Sequence, residues 1–289
     1  MSKLIAFGWY GGKYSHLDWL LPLLPPATHF CDVFGGSAAV LLNRAPSPVE
    51  TYNDLDSEVV NFFRVLRGDK ERLAEAIGLT PFSREELALA SRREDGLTEM
   101  ERARRFFVCA RQVRTGLAQK ASAGRWAHCL LTSRAGMAGA VSRWLGSVED
   151  LSEIAQRLLR VQIENAPALE VLRRYDSDDT LFYCDPPYIH GSRGDRQAYR
   201  YEMSDDDHRR LAETLRGVKA KVALSGYHNP LMQELYSGWQ CVEAPEKLCH
   251  SVKTLRTEVL WVNYELPKET LWPRPKKSSP LLFDVPAQV

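Results

Sequence analysis

Short apolar runs alternate with helix patterns along most of this chain of 289 residues. Several of the runs are rich in β-branched residues, which is typical of strands that are buried on both faces of a sheet. Strands are predicted at 28–34, 49–53, 161–165, 180–184, 221–225, 239–244 and 258–264. Because strands and helices alternate, we predict an α/β fold with a Rossmann-like, doubly wound and mostly parallel sheet of about seven strands.

Polar residues at capping positions mark where several helices begin. In a capping box, a Ser or Thr and an acid three residues later each accept a hydrogen bond from the other's backbone N–H. We predict such boxes in the pairs Ser83/Glu86, Thr98/Glu101, Ser147/Asp150 and Ser204/Asp207. Asp56 precedes a further helix pattern, which ends at Gly68, and glycine commonly ends a helix.

More than a hundred residues separate the second predicted strand from the third. A single crossover helix cannot fill that distance, and the segment holds helix patterns of its own followed by Gly- and Ala-rich sequence. We therefore predict an α/β catalytic domain formed by residues 1–78 and 147–266, with an inserted, mainly helical module at 79–146. Residues 267–289 are rich in proline and predict an extended tail.

Basic residues are concentrated in the inserted segment. From Arg102 to Val148 there are nine Lys or Arg residues and no acid, although 38 bases and 37 acids balance over the whole chain. Such a run indicates a surface for a polyanion. The alternative is a solvated helix face whose acidic partners lie on neighbouring elements.

The composition argues against several classes of protein. No apolar run approaches the length of about 20 residues that crosses a bilayer, and the N-terminus lacks a signal-peptide core. The six cysteines form no C-x-x-C pair, and His228 and His250 are isolated in loops. We expect reduced thiols, a cytoplasmic location and no metal site.

Three glycine-containing or acidic motifs lie where a nucleotide-like ligand would bind. They are FGWYGGK at 7–13, DVFGGS at 32–37 after the first strand, and NDLD at 53–56 after the second. Glycines let the backbone approach a ligand, and a helix N-terminus at the carboxyl edge of a sheet offers free N–H groups. Neither G-x-G-x-x-G nor a Walker lysine is present, which argues against NAD and ATP. Taken singly, each motif is explained equally well by a tight turn or a helix cap.

The stretch YCDPPY, from Tyr183 to Tyr188, ends the fourth predicted strand. Two prolines stop a strand or helix and hold the preceding acid in an extended conformation. On these six residues alone, a simple strand terminator is slightly favoured over a functional site.

Taken in order, FGWYGGK, DVFGGS, NDLD, a long insert and DPPY resemble the amino-group DNA methyltransferases of the Dam-like, adenine-N6 type. VALSGYH and RTEVLWVNY resemble the later strands of that family, so the resemblance covers about residues 4–266. Two positions depart from the family pattern. Val33 stands where proline is usual, and Ala38 stands where a further glycine is common.

This resemblance implies methyl transfer from S-adenosylmethionine to the N6 amino group of a flipped adenine in duplex DNA. The adenine amino nitrogen is a poor nucleophile, because its lone pair is delocalised into the ring. Asp185 and the Pro186 carbonyl can accept its hydrogens and stabilise the developing positive charge, and Pro187 keeps this pair rigid. Tyr188 can stack on the extruded base.

The resemblance also assigns contacts residue by residue. The cofactor-binding residues are Trp9, Lys13, Asp32, Phe34, Gly35, Gly36, Ser37, Asp54 and Asp185. A phosphate contact is the alternative role for Lys13. The basic residues expected to contact DNA are Arg111, Arg114, Lys120, Arg125, Arg134 and Arg143 in the insert, and Arg193, Arg196 and Arg200 in the polar loop after Tyr188.

Other functions and partners stay open on the sequence. Cytosine N4 or adenine in structured RNA is an alternative substrate, and a catalytically inactive DNA-binding protein is an alternative class. The apolar end of the tail, 280–285, distantly resembles peptides that dock on bacterial sliding clamps, although it lacks their leading glutamine. Docking of this end on the enzyme's own surface is the favoured alternative.

Overall fold

Nine short strands form two sheets in the computed structural model, which describes residues 3–114, 121–189, 201–245 and 257–266. In chain order they are β1 His29–Asp32, β2 Val49–Asn53, β3 Ser133–Arg134, β4 Met137–Ala138, β5 Val161–Glu164, β6 Thr180–Cys184, β7 Lys221–Tyr227, β8 Gln240–Glu243 and β9 Glu258–Val262. Seven of them form the main sheet, in the order β5-β2-β1-β6-β7-β9-β8. β3 and β4 form a separate antiparallel hairpin.

Eleven α-helices lie among the described residues. They are α1 Leu17–Leu20, α2 Ala39–Asn43, α3 Ser57–Gly68, α4 Lys70–Gly78, α5 Arg84–Ala90, α6 Glu99–Arg111, α7 Gly139–Glu149, α8 Leu151–Leu158, α9 Ala168–Tyr175, α10 Asp205–Gly217 and α11 Pro230–Leu235. None of the described helices combines the length and the apolar composition that a bilayer crossing requires.

The main sheet is parallel from β5 to β7 and antiparallel at β9 and β8. This confirms the predicted fold class and all seven predicted strands, with ends that differ by a few residues. In the parallel register, Asp32 lies beside both Tyr52 and Tyr183. The loops that follow β1, β2 and β6 therefore emerge at one edge, which we call the carboxyl edge. Because β9 runs the opposite way, it brings its first residue, Glu258, to the same edge beside Tyr227.

Successive side chains of the central strands enter two separate cores. On β6, Leu181 and Tyr183 enter the core that contains Phe62 of α3, whereas Phe182 and Cys184 enter the other core. The first core includes residues of α3 to α8, and the second includes residues of α9, α10 and α11. Both faces of the sheet are thus covered by helices, which explains why the strands read as continuous apolar runs.

The predicted helix caps have mixed outcomes. Ser204 and Asp207 form the full capping box of α10, and the Asp56 carboxylate accepts the Glu58 N–H at the start of α3. Ser83 and Thr98 also accept backbone N–H bonds. The box predicted for Ser147 and Asp150 is wrong: α7 continues through Ser147, whose hydroxyl donates to the Trp144 carbonyl at 2.7 Å.

The first three arginines of the acid-free run are paired with acids from outside it. Arg104 binds Glu86 and Glu101, and Arg105 binds Glu101 and Glu94. In addition, Arg102 binds Glu58 at 2.7 Å. The alternative explanation, acids on neighbouring elements, therefore applies to this part of the run.

The helical part of the insert shares the core of the catalytic domain. Phe106 and Phe107 on α6 contact Phe62 on α3, with ring centroids 5.6 Å apart in both pairs. Farther along the insert, the β3–β4 hairpin turns through Ala135 and Gly136, which have φ of 52° and 76°. The residue ranges given above for the separate module stay a prediction.

Glu101 should stabilise the fold in a pH-dependent way. Hydrogen bonds from Arg104 and Arg105 lower the pKa of its carboxyl from 4.5 to about 2. Because this pKa is lower in the folded state than in the unfolded state, the ionised carboxylate stabilises the fold fully at pH values above the unfolded-state pKa. That stabilisation is lost as the pH falls through the folded-state pKa. After allowance for solvent screening, we expect Glu101→Gln to cost about 1–2 kcal/mol of unfolding free energy at neutral pH.

Urea unfolding of wild type and Glu101→Gln at pH 6 and pH 3 measures this effect. The difference between the two proteins should be smaller at pH 3 than at pH 6, and an equal difference at both would contradict the assignment. Glu75→Gln, which removes an exposed charge from α4, is the matched control.

Candidate active site

A cleft of about 380 Å³ opens at the carboxyl edge of the sheet, where the sequence motifs meet. We call it the strand-end cleft. It brings together every predicted cofactor-binding residue except Asp54. Those lining it are Trp9, Lys13, Asp32, Phe34, Gly35, Gly36, Ser37 and Asp185, joined by Tyr10, Gly12, Ala39, Val40 and Tyr183.

The turn after β1, residues 34–38, has no space for a side chain at Gly35 or Gly36. A Cβ on Gly35 would lie 2.2 Å from the Tyr52 ring, and one on Gly36 would lie 2.6 Å from the Trp9 ring. The Tyr52 hydroxyl also donates to the Gly36 carbonyl at 2.7 Å. Ala38 has a left-handed φ of 56°, a conformation that glycine adopts without strain. The departure from the family pattern at Ala38 therefore changes the residue and keeps the turn.

Asp54 lies behind this turn. Its carboxylate accepts the N–H groups of Gly36 and Asp56, each at 2.8 Å. Burial raises the pKa of Asp54 to about 6, although the two N–H bonds act in the opposite direction. In this arrangement Asp54 ties the end of β2 to the glycine turn, and its contact with a ribose stays a prediction.

Asp32 presents a buried carboxylate to the strand-end cleft. The residue is 2% exposed, and its Oδ1 has no hydrogen-bond partner within the described part of the chain. Burial raises the pKa of Asp32 well above its ordinary value, and the nearby charges of Asp185 and Asp54 raise it further. A carboxylate in this state suits a cationic group of a ligand.

Lys13 joins the N-terminal segment to the end of β6. Its Nζ lies 2.7 Å from both carboxylate oxygens of Asp185, 2.7 Å from the Gly11 carbonyl and 3.2 Å from Oε1 of Glu258. Burial lowers the pKa of Lys13, but the two carboxylates outweigh this effect and raise it. Because Lys13 is 3% exposed and already paired, it is not placed to contact a DNA phosphate, and that alternative is wrong.

The DPPY segment is held on both sides. The Tyr188 hydroxyl donates to Oε1 of Glu258, and the Tyr188 ring meets the Tyr227 ring edge-on at 4.9 Å. The Pro187 carbonyl lies 3.0 Å from Nε2 of His208. Asp185 itself has a raised pKa because of burial, which Lys13 partly offsets. These contacts hold the segment, which we call the DPPY wall, in a fixed position.

A second, narrow pocket borders the same segment through Pro186 and Tyr188. We call it the ring pocket. Its lining residues are Pro186, Tyr188, Ile189, His208, Gly226, Tyr227 and Met232.

Glu258 lies at the site although it is part of none of the motifs quoted for cofactor or base binding. It is 5% exposed and opens a strand whose five residues are all buried. An acid inside a fully apolar strand pattern is a signal in the sequence, because a buried carboxylate needs a partner. That partner, Lys13, is 245 positions away, and only the fold brings the two together.

Arg111 requires a correction among the predicted DNA contacts. Its guanidinium donates to the carbonyls of Ala6 and Ile5 at 2.7 and 3.0 Å, and burial lowers its pKa to about 10. A side chain that is occupied by backbone carbonyls has a structural role in place of the predicted phosphate contact.

Four other predicted DNA-contacting arginines are exposed: Arg114, Arg125, Arg134 and Arg143. Lys120, Arg193, Arg196, Arg200 and the C-terminal tail with its predicted clamp contact lie outside the described residues. Within residues 3–114, 121–189, 201–245 and 257–266, no group of three His, Cys, Asp or Glu side chains is placed to hold a metal ion.

Comparison with known proteins gives matches that extend over most of the chain. Residues 9–257 match the family model described as D12 class N6 adenine-specific DNA methyltransferase. The Type II methyltransferase M1.LlaDCHI of Lactococcus lactis subsp. cremoris is 27% identical over 282 residues, with 89% of this chain and 94% of that protein covered.

Solved structures of methyltransferases are similar at lower identity. The rRNA methyltransferase aviRa from Streptomyces viridochromogenes has 12% identity and a TM-score of 0.38, with 86% of this chain and 83% of that chain covered. The putative methyltransferase yhhF from Escherichia coli has 12% identity and a TM-score of 0.34, with 86% and 82% covered.

The family match includes the glycine turn, Asp54, the insert and the DPPY segment. It agrees with the resemblance drawn from those motifs, and it favours adenine N6 in DNA over cytosine N4 and over RNA. The chain belongs to the family of D12 class N6 adenine-specific DNA methyltransferases.

Proposed function

We propose that this methyltransferase moves a methyl group from S-adenosylmethionine to the N6 amino group of an adenine flipped out of duplex DNA. One observation carries the proposal: the DPPY wall lines the strand-end cleft through Asp185 and the ring pocket through Pro186 and Tyr188. A methyl donor in the cleft and a base beside the Tyr188 ring would meet at the Asp185 carboxylate. Two reactants held against one rigid segment need little further ordering to react.

The strand-end cleft suits this cofactor chemically. Among the described residues the Asp32 Oδ1 there has no partner, and Gly36 lets the backbone of the turn lie against the Trp9 ring. When bound, S-adenosylmethionine supplies a methyl group on a positively charged sulfur. We assign ribose binding to Asp54, and binding of the remaining cofactor to Trp9, Lys13, Asp32, Phe34, Gly35, Gly36, Ser37 and Asp185.

The base would be bound by acceptors and one ring. Asp185 and the Pro186 carbonyl accept the two amino hydrogens, so that the nitrogen lone pair points to the cleft. Pro187 adds no competing N–H. Lys13 lies 5.0 Å from the centre of the Tyr188 ring, so the opposite face of that ring is the one assigned to the base.

The insert would supply the surface for duplex DNA. Arg114, Arg125, Arg134 and Arg143 are exposed and suit phosphate contacts. Leu130 and Leu131, just before the β3–β4 hairpin, are 90% and 96% exposed. Apolar side chains this open mark a contact surface, and the adjacent arginines make nucleic acid its natural partner.

Incubation with labelled S-adenosylmethionine and unmethylated duplex DNA, followed by nucleoside digestion, tests the proposed function. We expect N6-methyladenine, with less product on single-stranded DNA and none on RNA of the same sequence. Labelled N4-methylcytosine, or no labelled nucleoside, would refute it. Sequencing of the modified DNA then gives the target site.

Asp185→Ala should lower turnover by at least about a hundredfold while DNA binding survives, because the lost contact acts mainly in the transition state. Asp185→Asn, which keeps the shape, should lose most of the activity as well. Turnover at saturating cofactor and DNA is measured beside a melting curve. A folded Asp185→Ala enzyme with near wild-type turnover would refute the assigned role.

Tyr188→Ala should lose stacking of roughly 1–3 kcal/mol and so lower turnover. Tyr188→Phe and Tyr188→Trp should keep much of the activity, since the ring carries the stacking role. The measurement is turnover on DNA containing the identified site. Equal losses in the Ala and Phe variants would show that the hydroxyl, and not the ring, is required.

Replacing both Arg114 and Arg134 with alanine should weaken DNA binding and flatten its salt dependence. Each lost phosphate contact should remove roughly 0.9 from the slope of log K against log salt. Arg173→Ala, an exposed arginine on α9, is the control. Wild-type affinity of the double variant at every salt concentration would exclude these two residues from the DNA surface.

A further inference from the structure

One ammonium group lies between two buried carboxylates at the DPPY wall. Lys13 contacts Asp185 at 2.7 Å and Glu258 at 3.2 Å. The side chains of Lys13, Asp185 and Glu258 are 3%, 17% and 5% exposed. Glu258 has a second partner, because the Tyr188 hydroxyl donates to the same oxygen. The proposed methyl transfer uses Asp185 and the Tyr188 ring, and it leaves Glu258 without a role.

We propose that Glu258 is a positioning residue of the methyl transfer, which shares Lys13 with Asp185 and thereby keeps Asp185 a strong acceptor for the adenine amino group. Through its bond from the Tyr188 hydroxyl, it also holds the ring that carries the base. This inference rests on the proposed function.

Lys13 alone would weaken Asp185 as a hydrogen-bond acceptor. A buried ammonium on both oxygens of a carboxylate neutralises its charge, and a weaker base is a weaker hydrogen-bond acceptor. A second carboxylate on the same ammonium opposes this effect. The causes that act on Asp185 have these signs: burial raises its pKa, Lys13 lowers it, and Glu258 raises it again.

Other charged or titratable groups face the same wall. Asp32 on β1 lies near enough to Asp185 for the two charges to interact, and Tyr183 on β6 does as well. Tyr227 on β7 packs its ring against Tyr188. Unlike these three groups, Glu258 contacts both Lys13 and Tyr188. Its charge acts on Lys13, whereas its shape acts on Tyr188.

Glu258→Gln separates charge from shape. The amide oxygen can still accept the Tyr188 hydroxyl, but the negative charge that competes for Lys13 is gone. We expect kcat to fall by about tenfold or more. The KM for DNA and the Kd for S-adenosylmethionine should each change by less than about threefold. The Kd can be followed by intrinsic tryptophan fluorescence, because Trp9 lines the cleft.

The pH profile provides a readout that a purely structural role would not move. Without the Glu258 charge, the pKa of Asp185 falls, so Asp185 stays ionised to lower pH. The acid limb of kcat should therefore shift to lower pH in Glu258→Gln. Tyr188→Phe is the complementary control, because it removes the Tyr188–Glu258 hydrogen bond that Glu258→Gln keeps, and it leaves both charges in place. Its acid limb should not shift to lower pH, since the Tyr188 hydrogen bond lowers the pKa of Asp185.

Glu258→Asp keeps the charge and moves it by about one methylene. Its kcat, and the pH at which its acid limb falls, should therefore lie between those of Glu258→Gln and those of the wild type. Should Glu258→Gln fail to fold, Glu258→Asp decides: a partial loss of kcat with a partial shift supports the inference, and a wild-type profile overturns it. A folded Glu258→Gln enzyme with wild-type kcat and acid limb overturns it too. Failure of the wild type to methylate DNA would instead refute the proposed function.

Discussion

The buried contact between Lys13 and Asp185 holds together parts of the chain that are 172 residues apart. An ammonium with so little exposure is tolerated only where carboxylates and carbonyls replace its water. Here Asp185, Glu258 and the Gly11 carbonyl do so. Because the same contact draws the N-terminal motif onto the end of β6, the glycine turn and the DPPY wall acquire a common boundary. This pairing therefore helps to hold the two sides of the strand-end cleft together.

Strand direction decides which residues can join that boundary. Loops that follow parallel strands meet at the carboxyl edge, which explains Asp32, Asp54 and Asp185. An antiparallel strand contributes its beginning instead of its end, and β9 pairs antiparallel with β7 from Tyr227 and Glu258 onward. The reversed strand therefore adds a fourth carboxylate that no rule for parallel sheets would supply.

The sequence predicts the parts of the structure that depend on local burial. Strands such as β6 are apolar throughout because both faces are covered, and the caps at Asp56 and Ser204 act within one helical turn. Long-range pairing is what the sequence does not contain. Glu86 on α5 binds Arg104 on α6 in place of closing its capping box, and α7 runs through the cap predicted at Ser147. Arg111 turns inward for the same reason, because carbonyls of a distant segment are within its reach.

The charge balance of the site connects its buried carboxylates and Lys13 with the proposed methyl transfer. Asp32, Asp54 and Asp185 all have raised pKa values with burial as the largest cause, and Lys13 is the cation that pairs with Asp185. A ligand with a positively charged sulfur and ammonium group would offset this excess of carboxylates, whereas the product of transfer has a neutral sulfur. Electrostatic attraction therefore favours the charged methyl donor over its spent form. In the proposed reaction, the carboxylates would hold the charged donor more tightly than its neutral-sulfur product, and Lys13, between Asp185 and Glu258, would keep the acceptor for the base in place.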